Sequence, residues 1–293
     1  MIAQPEPSGE HQSKAGSVLQ LSQRPRVWEW TGNYTQSMGQ DLRLGLQYWP
    51  LWGRIGWQDV MLRYRRSLLG PFWLTISMGV MVFSLGFIYG DLFSMDVPRY
   101  LPFLTAGFLI WGFMTATLNE GCQVFIESEG IIRQSDLPLS LFPLRATWRN
   151  LIILFHNALI YVIVVLWFRV PLNGSFWLVI PGLLVLTLNA LWWITLLGML
   201  SARFRDLPQI VASVLQVAFF VTPIIWMPES ARHRPLIVDL NPFYHLIEIL
   251  RAPMLGQMPS GLNWAVALTI TGLGWGITLL FYRRFHCRIA YWI

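Results

Sequence analysis

An all-α membrane protein is what this sequence predicts: about six transmembrane helices, an N-terminal amphipathic interface helix, and a partly re-entrant outer loop between the fifth and sixth spans. Three observations carry that prediction. First, 55% of the 293 residues are hydrophobic and only 12% are charged. A soluble domain holds about a quarter charged residues, so a soluble core could not hide this much apolar surface. Second, uncharged runs close to the ~20 residues that a spanning helix needs recur at Phe72–Gly90, Leu101–Leu118, Leu151–Phe168, Phe176–Ala202, Ile210–Met227 and Leu262–Tyr282. Third, the charges are lopsided. With the N-terminus inside, only Arg99, Arg169, Arg232, Arg234 and Arg251 of the 21 basic residues fall outside, and that bias sets the orientation. Both termini are then cytoplasmic, and the net charge of +6 lies on the inner side, facing anionic lipid and any phosphate-bearing ligand.

Residues 1–35 read as a disordered cytoplasmic tail, because Pro, Ser, Gln and Gly dominate there without apolar periodicity or a signal-like apolar core. Residues 36–293 form one domain. Its interface helix, residues 40–66, places Leu42, Leu46, Trp49, Trp52 and Ile55 at roughly helical spacing among Arg43, Arg54 and Arg63. Pro50 interrupts the pattern, so one or two pieces lie along the inner membrane face; a soluble helix pair packed on a partner is the competing reading. Arg63-Tyr-Arg-Arg-Ser-Leu-Leu-Gly-Pro-Phe-Trp then marks the membrane boundary. Pro71 suits the first turn of a helix and Trp73 the headgroup layer.

Between the second and third spans, Asn119–Trp148 carries Glu127, Glu129, Arg133 and Asp136 beside an apolar face of Ile126, Ile131 and Ile132. Pro138 and Pro143 end its helix. Two readings are open, a helix that docks another protein and a solvated turn. Pro228–Gly261 is long but holds only a short apolar run, so it either dips into the outer leaflet under cover of protein or lies as a surface helix.

Little catalytic chemistry is present. Lys14 is the single lysine and stands between Ser13 and Ala15, so the Gly-Lys-Ser/Thr of a phosphate-binding loop is missing. Acidic residues are absent from the middles of the spans. His156 is the one ionisable group at depth, with substrate passage and ordinary helix-to-helix hydrogen bonding both open. His233 and His245 lack the neighbours of a zinc site, and no metal is expected. Cys122 and Cys287 suggest no disulfide framework and read as reduced and structural. Asn33 and Asn173 match the glycosylation pattern too briefly to weigh. Gly86 with Gly90, and Gly272 with Gly276, make faces where helices approach closely, within or between subunits.

The Arg63–Trp73 stretch resembles the approach to the first span in permease subunits of polysaccharide-exporting ABC transporters, the type 2 ABC export permease family. Gly130-Ile-Ile-Arg-Gln-Ser-Asp-Leu-Pro-Leu-Ser-Leu-Phe-Pro-Leu is similar to that family's coupling region. Arg203-Phe-Arg-Asp-Leu, Asn241-Pro-Phe-Tyr and the ending Arg288-Ile-Ala-Tyr-Trp follow in the same order. The likeness covers roughly Gln40 to Ile293, and the polar tail before Arg26 is longer than the family needs.

The resemblance implies a homodimer in the bacterial inner membrane, joined to two copies of an ABC ATPase subunit that holds ATP and Mg. This chain is then a permease and no enzyme, binds no cofactor or nucleic acid, and exports undecaprenyl-linked polysaccharide such as O antigen, capsule or teichoic acid. Docking falls to Glu127, Glu129, Ile131, Ile132, Arg133 and Asp136. Arg63, Arg65 and Arg66 form an inner collar for the lipid phosphate, since guanidinium pairs with phosphate oxygens bidentately; anchoring to anionic lipid is the alternative. Trp73, Phe83, Phe87, Tyr89 and His156 are candidate path-lining residues, against lipid-facing or core packing. A permease for a drug or small lipid, or a membrane enzyme acting on a polyprenyl-linked sugar, are the competing functions.

Overall fold

The computed structural model describes residues 38–63, 65, 72–92, 96–231 and 235–293. Among them every regular element is a helix, and all lie within the compact unit Gln36–Ile293. Residues 1–35, Arg66, and the basic residues Arg232 and Arg234 lie outside the described residues.

The interface segment folds as two helices, α1 (Met38–Gln47) and α2 (Trp49–Arg63). Pro50 sits in the first turn of α2, where its missing N–H leaves no gap, so the break falls at Tyr48 rather than at the proline. The Trp52 indole closes the corner by donating to the Gly45 carbonyl at 3.1 Å. Gly56 lets α2 lie against α6 (Leu141–Phe168), since a Cβ there would come within 2.9 Å of the Trp148 ring. Trp148 in turn donates to the Gly53 carbonyl and meets Trp52 edge-on.

Helix α3 (Phe72–Leu92) leads into α4 (Val97–Gln123), which is the centre of the bundle. α4 is buried along most of its length and touches α3, α6, α7 (Val179–Arg203), α8 (Leu207–Val221) and α10 (Pro242–Met254). Its apolar residues are not confined to one stripe, as expected of a helix surrounded by others. Both α4 and α6 run past the uncharged spans expected from sequence, because helical geometry continues into Arg99, Glu120, Arg145 and Arg149 after the apolar run stops. Pro143, expected to end the docking helix, instead lies in the first turn of α6.

Among the described residues, four helical stretches are long and apolar enough to cross a membrane: Val97–Gln123, Leu141–Phe168, Gly174–Arg203 and Gly261–Trp292. Thr75–Gly90 and Leu207–Val221 are apolar but shorter. The expected fifth span, 210–227, is helical over only part of its length. Its helix stops at Val221, and fifteen residues reach only about 22 Å against the ~30 Å hydrocarbon layer. The chain beyond runs non-helically at Thr222–Met227, buried at Thr222, Pro223 and Ile224, with two of its carbonyls accepting from side chains. Tyr100 Oη donates to the Ile225 carbonyl at 2.6 Å, and Arg251 donates to that of Pro223 at 2.6 Å. After α9 (Pro235–Asp239), α10 enters the bundle with nine of its thirteen residues buried. α11 (Gly261–Phe285) and the short α12 (Ile289–Trp292) complete the chain.

Candidate functional site

The arginine-rich end of the bundle is held by one network. Arg145 clamps Asp59 bidentately, Nε to Oδ2 at 2.7 Å and a terminal nitrogen to Oδ1 at 2.6 Å. Arg149 reaches Asp59 at 3.3 Å and Glu120 at 2.8 Å, while Asn150 and Arg63 also donate to Glu120, at 2.7 and 3.4 Å. Three guanidiniums and two carboxylates therefore tie α2, α4 and α6 together. Arg63, expected in the phosphate collar, is thus partly engaged through Glu120, although its side chain stays about half exposed. Arg65 is exposed.

A second tie runs through Asp41 on α1, which is buried. Its carboxylate accepts the backbone N–H groups of Leu139 and Ser140 at 2.8 and 3.1 Å and the Tyr282 hydroxyl of α11 at 2.6 Å. Helix N-termini leave N–H groups without intrahelical partners, so Asp41 caps α6 from a distant part of the chain. Gly45 allows the approach, because a Cβ there would overlap the Ser140 hydroxyl.

The expected docking helix forms as α5 (Glu129–Gln134). Ile131, Arg133 and Asp136 are exposed, as is Glu127 in the turn before it, whereas Ile132 is buried at 2% exposure and seats the helix on the body. Glu129 and Arg133 pair with each other at 2.9 Å. Arg133 also donates to the carbonyl of Ile293 at 2.6 Å, and Trp292 stacks near Arg203 from the end of α7.

On α3, Thr75, Gly79, Val82, Gly86 and Gly90 form the buried face. At 100° per residue, Trp73, Phe83 and Phe87 fall within about 80° of one another on a face turned about 100° from it, and all three are exposed. Tyr89 lies away from them and packs against the core. His156 is half-buried; its Nδ1 bonds the Ile152 carbonyl of its own helix at 2.8 Å, and its backbone carbonyl accepts from Thr75 at 3.0 Å. The five candidate path residues are therefore not gathered on one surface. Gly86 and Gly90 face α4 within the chain, beside Leu101 and Val97, whereas nothing lies within 4 Å of a Cβ built on Gly272 or Gly276.

At the far end, Arg251 is fully buried in α10. Its Nε and a terminal nitrogen both donate to Glu248 Oε2, at 3.0 and 2.6 Å, and its guanidinium lies 4.1 Å from the centre of the Phe103 ring. The sequence counted Arg251 as an outer-loop charge, but the structure makes it an internal anchor. Asn241 caps α10, accepting from the Phe243 and Tyr244 N–H groups, and donates to Thr222 at 2.9 Å. His245 bridges Asn263 and the Asp239 carbonyl, both at 2.8 Å, which occupies both ring nitrogens. No group of three His, Cys, Asp or Glu suited to a metal occurs among the described residues.

Helices of spanning length around a buried central helix, with most of the ion pairs gathered at one end, define a multi-pass membrane protein of the permease class. Residues 51–255 match the family described as ABC-2 type transporter. The chain belongs to that family. It is 24% identical over 195 residues to the O-antigen export system permease protein RfbA of Klebsiella pneumoniae, covering 65% of this chain and 74% of the relative. It is also 24% identical over 202 residues to the protein of the same name from Myxococcus xanthus, covering 67% and 76%.

The residues that sequence reading missed are Asp41, Asp59, Glu120, Arg145, Arg149 and Glu248. One signal was available: Glu120, Arg145 and Arg149 are charges bordering long apolar runs, where an unpaired charge is costly.

Proposed function

We propose that the chain is the transmembrane subunit of an ATP-driven exporter of lipid-linked polysaccharide, and not itself an enzyme. The observation that carries this reading is the family match over residues 51–255, joined to relatives named as O-antigen export permeases. In this reading two copies of the chain work with two ATPase subunits, which hold ATP and Mg. The arginine-rich end faces the cytoplasm, both termini lie there, and the membrane is the bacterial inner membrane.

Six crossings are proposed, with residues 36–293 as the permease domain. The fifth joins α8 to the buried Thr222–Met227 segment, and α10 is the re-entrant element, a course that is tolerable in lipid because protein covers the backbone. The ATPase docks on α5 through Glu127, Glu129, Ile131 and Asp136, with Ile132 and Arg133 setting the helix in place. Arg63, Arg65 and Arg66 receive the phosphate of the carrier lipid. The Trp73, Phe83 and Phe87 face of α3 lines the path, where aromatic faces stack on the apolar sides of sugars.

The test is reconstitution of the chain with its ATPase in inverted vesicles. ATP-dependent accumulation of lipid-linked polysaccharide is expected, and its absence from vesicles whose ATPase is active and bound would overturn the reading.

A further inference from the structure

A cavity of about 690 Å³ opens at the far end of the bundle, between the start of α4, the end of α6, the Met227–Glu229 segment and α10. Its size is that of small-molecule sites, roughly 300–1,000 Å³. Asp96, Phe103, Phe168, Tyr244, Glu248 and Gln257 line it, and four prolines stiffen its walls. Its chemistry is mixed in a particular way. Glu248 takes both Arg251 bonds on Oε2, which leaves Oε1 available. The Tyr244 hydroxyl, the Gln257 amide and the Asp96 carboxylate make no side-chain hydrogen bond among the described residues. A tyrosine hydroxyl is protonated at neutral pH, so that of Tyr244 is able to donate.

We propose that this cavity is a carbohydrate subsite that takes a short stretch of uncharged sugar. Free carboxylate and amide oxygens accept from sugar hydroxyls, the amide N–H and the Tyr244 hydroxyl donate to them, and Phe168 offers an apolar wall. Anions fit poorly. Arg99, the arginine among the lining residues, is already paired with Glu229 at 3.5 Å, and Arg251 is paired with Glu248, while Asp96 adds negative charge. A metal ion lacks its ligand set among the described residues. The subsite rests on the exporter reading for its purpose, because a sugar site at the end opposite α5 would hold the polymer as it leaves.

The test uses the full chain in nanodiscs, without ATPase, and saturation-transfer NMR with the methyl glycosides of D-glucose, D-galactose, D-mannose and N-acetyl-D-glucosamine. At least one probe is expected to bind. The Tyr244→Phe, Gln257→Ala double variant should weaken it on the order of tenfold, the loss of two hydrogen bonds. Asp96→Asn, an exposed change, serves as a second variant and should weaken binding a few-fold. No transfer to any of the four probes, or binding that all these variants leave unchanged, overturns the subsite. A chain that exports with its ATPase but binds none of the probes overturns the subsite alone. One that binds a probe in the cavity but drives no ATP-dependent export overturns the exporter reading alone.

Discussion

The guanidinium of Arg133 donates to the carbonyl of Ile293 at 2.6 Å, joining α5 to the end of the described chain across 160 residues of sequence. The helix proposed to receive the ATPase is therefore braced from below. Ile132 fills the seat, Arg133 ties the side, and Ile131 is left on the outside at 44% exposure.

Ile131→Asp should therefore separate docking from folding. A surface change of this kind alters stability by about 0.5 kcal/mol or less, so the melting temperature of the purified chain should hold. Recovery of the ATPase with the affinity-purified chain should fall severalfold or more. Arg133→Ala should act differently, leaving the exposed residues in place but loosening the helix, with ATPase still bound and ATP use poorly coupled to export. Coupled export at the native rate in Arg133→Ala would refute the brace.

Asp59 and Glu120 share Arg149, and that makes their effects interdependent. Removing one partner of a buried charge pair costs roughly 3–5 kcal/mol, but these side chains retain 15–21% exposure, so about 1–3 kcal/mol is expected for Asp59→Asn or Glu120→Gln. The double variant should cost less than the two added together, because Arg149 is already short of a partner after the first change. Thermal unfolding in detergent of the four proteins in the cycle measures this; strict additivity would show that Arg149 does not couple them.

How much of this could be read beforehand differs by element. The apolar runs located α4, α6, α7 and α11, because lipid demands a continuous uncharged length and little else. The helix ends were not legible. α6 begins ten residues before the expected span at Leu151, since Arg145 and Arg149 are carried inside a helix by Asp59 and Glu120 on other elements. α8 is shorter than its apolar run because Thr222 turns extended, and what makes that tolerable is Tyr100 and Arg251, far away in sequence. Arg251 looked like an ordinary loop charge for the same reason: its partner Phe103 sits on another helix. Helix α5, proposed to dock the ATPase, was legible as a charged insert, yet which of its isoleucines faces inward depended on packing against the chain's end.

Asp41 and Tyr282 should show a similar dependence. Asp41→Ala removes a cap from two N–H groups of the turn that starts α6, a loss of about 1–2 kcal/mol. Tyr282→Phe deletes one hydrogen bond, about 1 kcal/mol. In the Asp41→Ala background the Tyr282→Phe change should cost little further. A full independent cost, read by chemical or thermal unfolding, would mean that the two residues do not depend on each other.

The glycine pairs divide. A side chain at Gly86 would overlap Leu101, and overpacking a filled contact typically costs 1–3 kcal/mol, so Gly86→Leu should lower both stability and yield. Gly272→Leu meets nothing within the chain and should leave thermal stability of the single chain unchanged. Any loss of dimer on size-exclusion chromatography from Gly272→Leu would therefore locate a contact with a second chain on that face of α11.

The two aromatic sets on α3 allow path lining to be told apart from packing. Phe87 is 79% exposed on the face it shares with Trp73 and Phe83, while Tyr89 packs on the core. Phe87→Ala should leave the fold within about 0.5 kcal/mol, since little surface was buried to begin with. Tyr89→Ala removes packed ring atoms and should cost about 2–3 kcal/mol, toward the low end for large aromatic truncations because the ring is only half-buried. Export measured in vesicles then decides the role of the exposed face. If it lines the path, Phe87→Ala and Phe83→Ala slow polysaccharide movement severalfold at unchanged stability and unchanged ATPase binding. If it faces lipid, both variants export at the native rate, and the path must run along another surface of the bundle.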